Sequence, residues 1–165
     1  MILPRLVAQV LRNELPGPSG LSRPDPVVTT TTRADADSVA AGAAIDLLRE
    51  IDVVIETLST TPVSELRAGG LGVRDVKRLT KLTGIDEQRL GLILDIAAGA
   101  GLIASGVPEP LPADGSAPFW APTVAADRFV ESSTGTRWQL VASTWLDLPS
   151  RPGLVGTRGP DGKPY

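Results

Sequence analysis

Arg74, Lys77, Arg78 and Lys81 recur at i, i+3, i+4 and i+7, the spacing that lines four cations along one side of a helix. Cations placed in this way can follow nucleic-acid phosphates and release the counterions condensed on them. No acidic residue stands four positions from any of them, so they repel one another and call for a reason beyond solubility. A plain solvated face is the other reading of the same residues. Arg67 before the stripe and Arg89 after it complete the set of candidate nucleic-acid contacts.

The remaining residue types narrow the chemistry sharply. The chain has no cysteine and no histidine. Disulfides, zinc sites built on Cys or His, thiol nucleophiles and every histidine-based triad are thereby excluded. Asp35 with Asp37, and Asp86 with Glu87, come nearest to a carboxylate pair, and helix capping accounts for both. GAGLIA at 99–104 matches a G-x-G-x-x-A pattern, but a dinucleotide site needs a helix to start there, and SGVPEPLP follows. GTRGPDGKP near the end has the look of a phosphate loop. Its first glycine comes one residue too early, and Pro164 follows Lys163 where Ser or Thr should hold magnesium. The sequence therefore predicts no catalytic residue, no metal site and no cofactor, and the chain is expected not to be an enzyme.

Two helices and a tight turn must position the cationic stripe. From Val73 to Thr83 the apolar residues Val73, Val76, Leu79 and Leu82 gather opposite the cations, which predicts one helix with an oily face and a charged face. Gly84 can end it in the left-handed conformation, and Asp86 can cap a second helix over about 87–99. In that helix Leu90, Ile93, Leu94, Ala97, Ala98 and Gly101 form the core stripe. Leu92 and Ile96 lie away from it, so the helix is expected either to be sandwiched between two layers or to meet a partner protein through those two side chains. Apart from Gln88 and Arg89 it offers little to base edges, which argues against sequence-specific reading. LIA at 102–104 and FWAPT at 119–123, separated by a Pro/Gly-rich loop, predict the two strands of a hairpin. Helix, turn, helix, hairpin is the winged-helix order.

The expected fold class is thus mainly α with a small β component, an α+β arrangement with a winged-helix-like helix-turn-helix, a short hairpin and flanking helices. At 165 residues and 42% hydrophobic the chain can bury a core. Its net charge of −3 supplies no global field toward nucleic acid, so any such affinity is local. The longest apolar run, LGLILDIAAGAGLIA, carries Asp95 and is too short to span a bilayer, and no signal peptide is read at the start. No membrane partner is expected, and the expected location is cytoplasmic.

Along the chain, residues 1–15 read as a helical arm or the tail of a preceding domain, with Leu3, Leu6, Val7, Val10 and Leu11 on one face. Residues 16–34 read as an extended linker whose β-branched run Val27 to Thr32 favours an edge strand. Residues 35–148 form the winged-helix-like domain, and 149–165 a Pro/Gly-rich C-terminal segment. Within the domain a long helix from Asp37 to Leu58 buries Ala44, Leu47, Leu48, Ile51, Val54, Ile55 and Leu58, with Asp35, Asp37 or Ser38 as cap. STTP at 59–62 stops it, and VSELR adds one short helical turn. A last helix, STGTRWQLVASTWLDL, carries Trp138, Val141, Trp145 and Leu148 near one stripe and is capped by Ser133 or Thr134. Its two tryptophans and Trp120 are expected in the core, with base stacking as the alternative.

LRAGGLGVRDVKRLTKLTGIDEQRLGLILDIAAGAGLIASG, followed by FWAPT, RWQLVASTWL and RPGLVGTRGPDGKP, resembles an actinobacterial family of helicase-associated proteins, the XPB-like helicase C-terminal-domain proteins. The likeness covers roughly Ser22 to Tyr165. It implies an interior piece of a longer protein, winged-helix modules and an association with DNA helicases or repair. It carries no catalytic residues, and no Walker A or acidic DEAD-type box is present. The expected function is a non-catalytic winged-helix module that binds double-stranded DNA weakly through backbone contacts. The alternative is a protein-interaction domain that docks through Leu92 and Ile96 on a helicase or on other domains of the same chain.

Overall fold

The computed structural model describes residues 5–13, 27–112, 118–149, 154, 157–159 and 162. The chain divides into two compact units, residues 1–33 and 34–165. In the first, helix α1 (Arg5–Leu11) matches the amphipathic run near the start. The linker residues 14–26, and most of the C-terminal segment with Arg151 and Lys163, lie outside the described residues.

The second unit runs through α2 (Arg33–Thr60), β1 (Val63–Ser64), α3 (Val73–Thr83), α4 (Glu87–Gly99), β2 (Ile103–Gly106), β3 (Phe119–Pro122), α5 (Val124–Glu131) and α6 (Thr134–Leu146). The strands form an antiparallel sheet in the order β1-β3-β2. Val63 and Ser105 stand opposite Trp120 from the two sides, and Ile103 stands opposite Pro122. Side chains alternate along a strand, so Val63, Ile103 and Trp120 share the face of the sheet turned to the helices. Helix, strand, two helices and a hairpin, with the first strand paired to the last, is winged-helix topology; α5 and α6 are additions after it.

One core joins these elements. Leu48, Ile51, Val54, Ile55 and Leu58 of α2 meet Val63 of β1, Leu79 of α3, Leu90, Ile93 and Ala97 of α4, and Phe129 and Val141 of the last two helices. Burying each such aliphatic side chain contributes about 1.5–3 kcal/mol, and this apolar area, rather than intrinsic helix propensity, holds the helices in place. Residues 33–43 of α2 are exposed, and the side chains that helix buries all lie in its C-terminal part.

Local punctuation sets the ends of the two central helices. Gly84, at φ 72°, closes α3, its N–H donating to the Thr80 carbonyl at 3.0 Å. The Asp86 carboxylate then accepts from the N–H groups of Gln88 and Arg89 at 3.1 and 3.0 Å, a cap worth about 1 kcal/mol. Gly101, at φ 70°, ends α4 in a Schellman motif, with Gly101 N–H bonded to the Ala98 carbonyl and Leu102 N–H to that of Ala97. Thr123 fastens the next junction. Its N–H donates to the Leu102 carbonyl at 2.9 Å, its hydroxyl to the Gly101 carbonyl at 2.6 Å, and the same oxygen caps α5 by accepting from Ala125 N–H.

Several expectations are corrected. Val27 to Thr32 forms no strand, because a run of threonines offers no apolar face to bury and β propensity is largely a packing effect. The long helix begins at Arg33 and runs through Ser59 and Thr60, whose hydroxyls bond back to the Glu56 carbonyl within the last turn. VSELR holds the first strand in place of a helical turn, since Val63 and Ser64 pair with Trp120 and Phe119. VAADRFVE, given no element from sequence, is α5. Of the oily side of α3 only Leu79 is buried; Val73 and Leu82 overhang the core at its two ends and are exposed. Trp138 and Trp145 are 41% and 56% exposed in place of lying in the core, because they flank Val141 on an outermost helix that covers only the middle of its stripe.

Candidate nucleic-acid interface

The cationic face forms as its spacing requires. Arg74, Lys77, Arg78 and Lys81 are all exposed on α3. Arg78 pairs with Asp75 one turn back at 3.1 Å, an exposed pair of small energetic weight. Arg74, Lys77 and Lys81 have no carboxylate within ion-pair distance among the described residues. Asp75 sits in the first turn of α3 and Lys81 in the last, so both also complement the helix dipole.

Arg67 is exposed in the turn that precedes α3. There Gly69 N–H bonds to the Leu66 carbonyl at 2.8 Å and Leu66 N–H to that of Gly70 at 3.0 Å. Gly69 and Gly70 both take positive φ, 85° and 76°, which a side chain would strain. The Leu66 side chain reaches Gly72, the residue before α3, so the turn folds against the N-terminal end of the cationic helix.

Arg89 does not join the set. Its Nε–H donates to Glu50 Oε2 of α2 at 2.5 Å, which fastens the start of α4 to the long helix across 39 residues of sequence. Arg137 is likewise structural. Its guanidinium bonds to the Asp52 carboxylate and to the Leu48 carbonyl, and lies 4.6 Å from the centroid of the Phe129 ring.

The second helix of the helix-turn-helix is enclosed on three sides. Leu90, Ile93 and Ala97 enter the common core. Gly91, Leu94, Asp95 and Ala98 line a cavity facing α3 and the sheet. Leu92 and Ile96 form a wall of an apolar groove completed by Leu47 of α2 and by Trp138, Val141, Ala142, Trp145 and Leu146 of α6. Ile96 is 1% exposed and Leu92 half-buried, so the pair proposed for partner binding is occupied by the chain's own last helix. A Cβ on Gly99 would stand 3.0 Å from the Thr144 methyl and 3.3 Å from Leu148, which marks how closely α6 approaches the end of α4.

Of the two expectations for Leu92 and Ile96 the sandwiched helix is the one that forms. Sequence reasoning did not identify α6 as its second layer and missed the Arg89 ion pair. The first had a signal in the apolarity of the 87–99 segment on all sides. The second pairs residues far apart in sequence and had none. Among the described residues no group of three or more acidic side chains is placed to hold a metal ion, and no helix is long and apolar enough to cross a membrane. Compared with known proteins, the chain matches no family model, no curated protein and no solved structure.

Proposed function

We propose that this chain is a non-catalytic winged-helix module that binds double-stranded DNA weakly, through backbone phosphates, along the cationic face of α3. The observation that carries the reading is that four cations share one exposed helix face and three of them are without an ion-pair partner among the described residues. The net charge of −3 does not oppose it at close range, because at physiological salt charges beyond about 8 Å are largely screened. The enclosure of α4 on three sides favours phosphate contact over base reading, since that helix keeps little free surface for a major groove. On this reading the setting is that of a module within a longer, helicase-associated protein that acts on DNA.

If each of Arg74, Lys77, Arg78 and Lys81 meets one phosphate, log K should fall against log salt with a slope of about −3.6. The variant Lys77→Glu, Arg78→Glu, Lys81→Glu should lose about three quarters of that slope or more and bind duplex DNA far more weakly in a low-salt gel shift. Binding equal to the parent's at low salt ends the reading.

A second reading, a protein-interaction module, is favoured by the groove between α4 and α6. Leu146 is 76% exposed beside Trp145, and the groove is lined by apolar side chains alone. On this reading the isolated chain self-associates in sedimentation, and Trp145→Lys returns it to monomer. A monomeric parent at high concentration counts against it.

A further inference from the structure

Asp95 gives nothing to the helix that carries it: it lies in the C-terminal half of α4, four residues before Gly99, and it caps nothing. It is half-buried, and its carboxylate has no hydrogen bond and no ion pair with any described residue. Its carboxylate is therefore free to pair with a cation from outside the fold.

The surroundings are a cavity of about 190 Å³ that opens to solvent between α3, α4 and the sheet. Gly91, Leu94, Asp95 and Ala98 fall at i, i+3, i+4 and i+7, so one stripe of α4 forms a wall, and its two smallest residues leave the space. Val76, Ile103 and Trp120 close the other sides, and Asp95 is the one charged residue of the lining.

We propose that this cavity receives an arginine or lysine side chain from a partner polypeptide. The apolar walls suit the methylene stem, and the Asp95 carboxylate and the Trp120 ring suit the cationic head. The volume supports a single inserted side chain, because pockets for drug-sized molecules run to roughly 300–1,000 Å³. The site is separate from the α3 cations and carries the opposite charge. Its partner is therefore a basic polypeptide, not nucleic acid.

The probe is the peptide acetyl-Leu-Arg-Leu-amide, with acetyl-Leu-citrulline-Leu-amide as its neutral isostere. The readout is the Trp120 indole resonance in a nitrogen-proton correlation spectrum, assigned by its loss in Trp120→Phe. The arginine peptide should shift it saturably, with a dissociation constant on the order of millimolar. The citrulline peptide, and the Asp95→Asn variant with the arginine peptide, should each bind at least tenfold more weakly. Ala98→Leu, which fills the cavity and keeps the charge, should abolish the shift. Asp95→Asn should leave duplex DNA binding unchanged, so this site can fail without the α3 reading failing. Equal affinity for the two peptides, or no shift with the parent protein, overturns the proposal. Butylguanidinium binding as tightly as the arginine peptide overturns the polypeptide as its source.

Discussion

Helices α3 and α4 are joined by only the residues 84–86, yet they put opposite demands on their sequences. α3 buries one side chain fully and leaves its cations in water; α4 buries six residues and meets neighbours on three sides. In a helix-turn-helix that reads bases, the second helix is the one kept free for the groove. Here the second helix is committed to packing and the first carries the charge. Exposure and charge, rather than order in the motif, therefore locate the surface available to a polyanion.

Substitutions on the two helices should separate packing from charge. Ile96→Ala, deep against α6, should cost about 2–5 kcal/mol in denaturant unfolding, because the cavity adds to the lost transfer energy. A cost near zero would mean that α6 does not cover α4 in solution. Gly99→Val should cost about 1–3 kcal/mol through its clash with the Thr144 methyl, and Thr144→Ser, which removes that methyl, should recover part of it. Additive losses in the double variant would place the close approach elsewhere. The triple charge reversal on α3 should move the unfolding free energy least, by about 1 kcal/mol or less, since it touches no interior side chain. A larger loss would make those cations structural and weaken the contrast between the helices.

The parts of this fold legible in the sequence are those fixed by near neighbours. Gly84 and Asp86 act within a turn of their own positions, so the end of α3 and the start of α4 could be read directly. Gly101, expected in the core stripe, is instead the exposed left-handed residue that closes α4. The cationic face followed from spacing alone. Val63 and Ser64 become a strand only by pairing with Phe119 and Trp120, more than fifty residues later, and no local pattern announces two residues of sheet. α5 is eight residues long and opens on a Thr123 cap that its short apolar pattern did not reinforce. The fate of Arg89 depended on Glu50, and that of Trp145 on how much of α6 the core would cover. Composition fixes neither. Asp95 was visible as an anomaly in an apolar run, but its lack of a partner becomes evident only when Trp120, Ile103 and Val76 are set around it.

The exposed opening of α2 has a consequence for how the molecule comes apart. A helix segment that buries no side chain gains little per residue beyond propagation from a turn already formed. The part of α2 ahead of Ala44 should therefore open at a lower free energy than the turns holding Leu48 and Ile51, which stay closed until the whole core opens. A single helix is thus divided into a melting end and a cooperative end, and the boundary falls where Ala44 and Leu47 first find shelter.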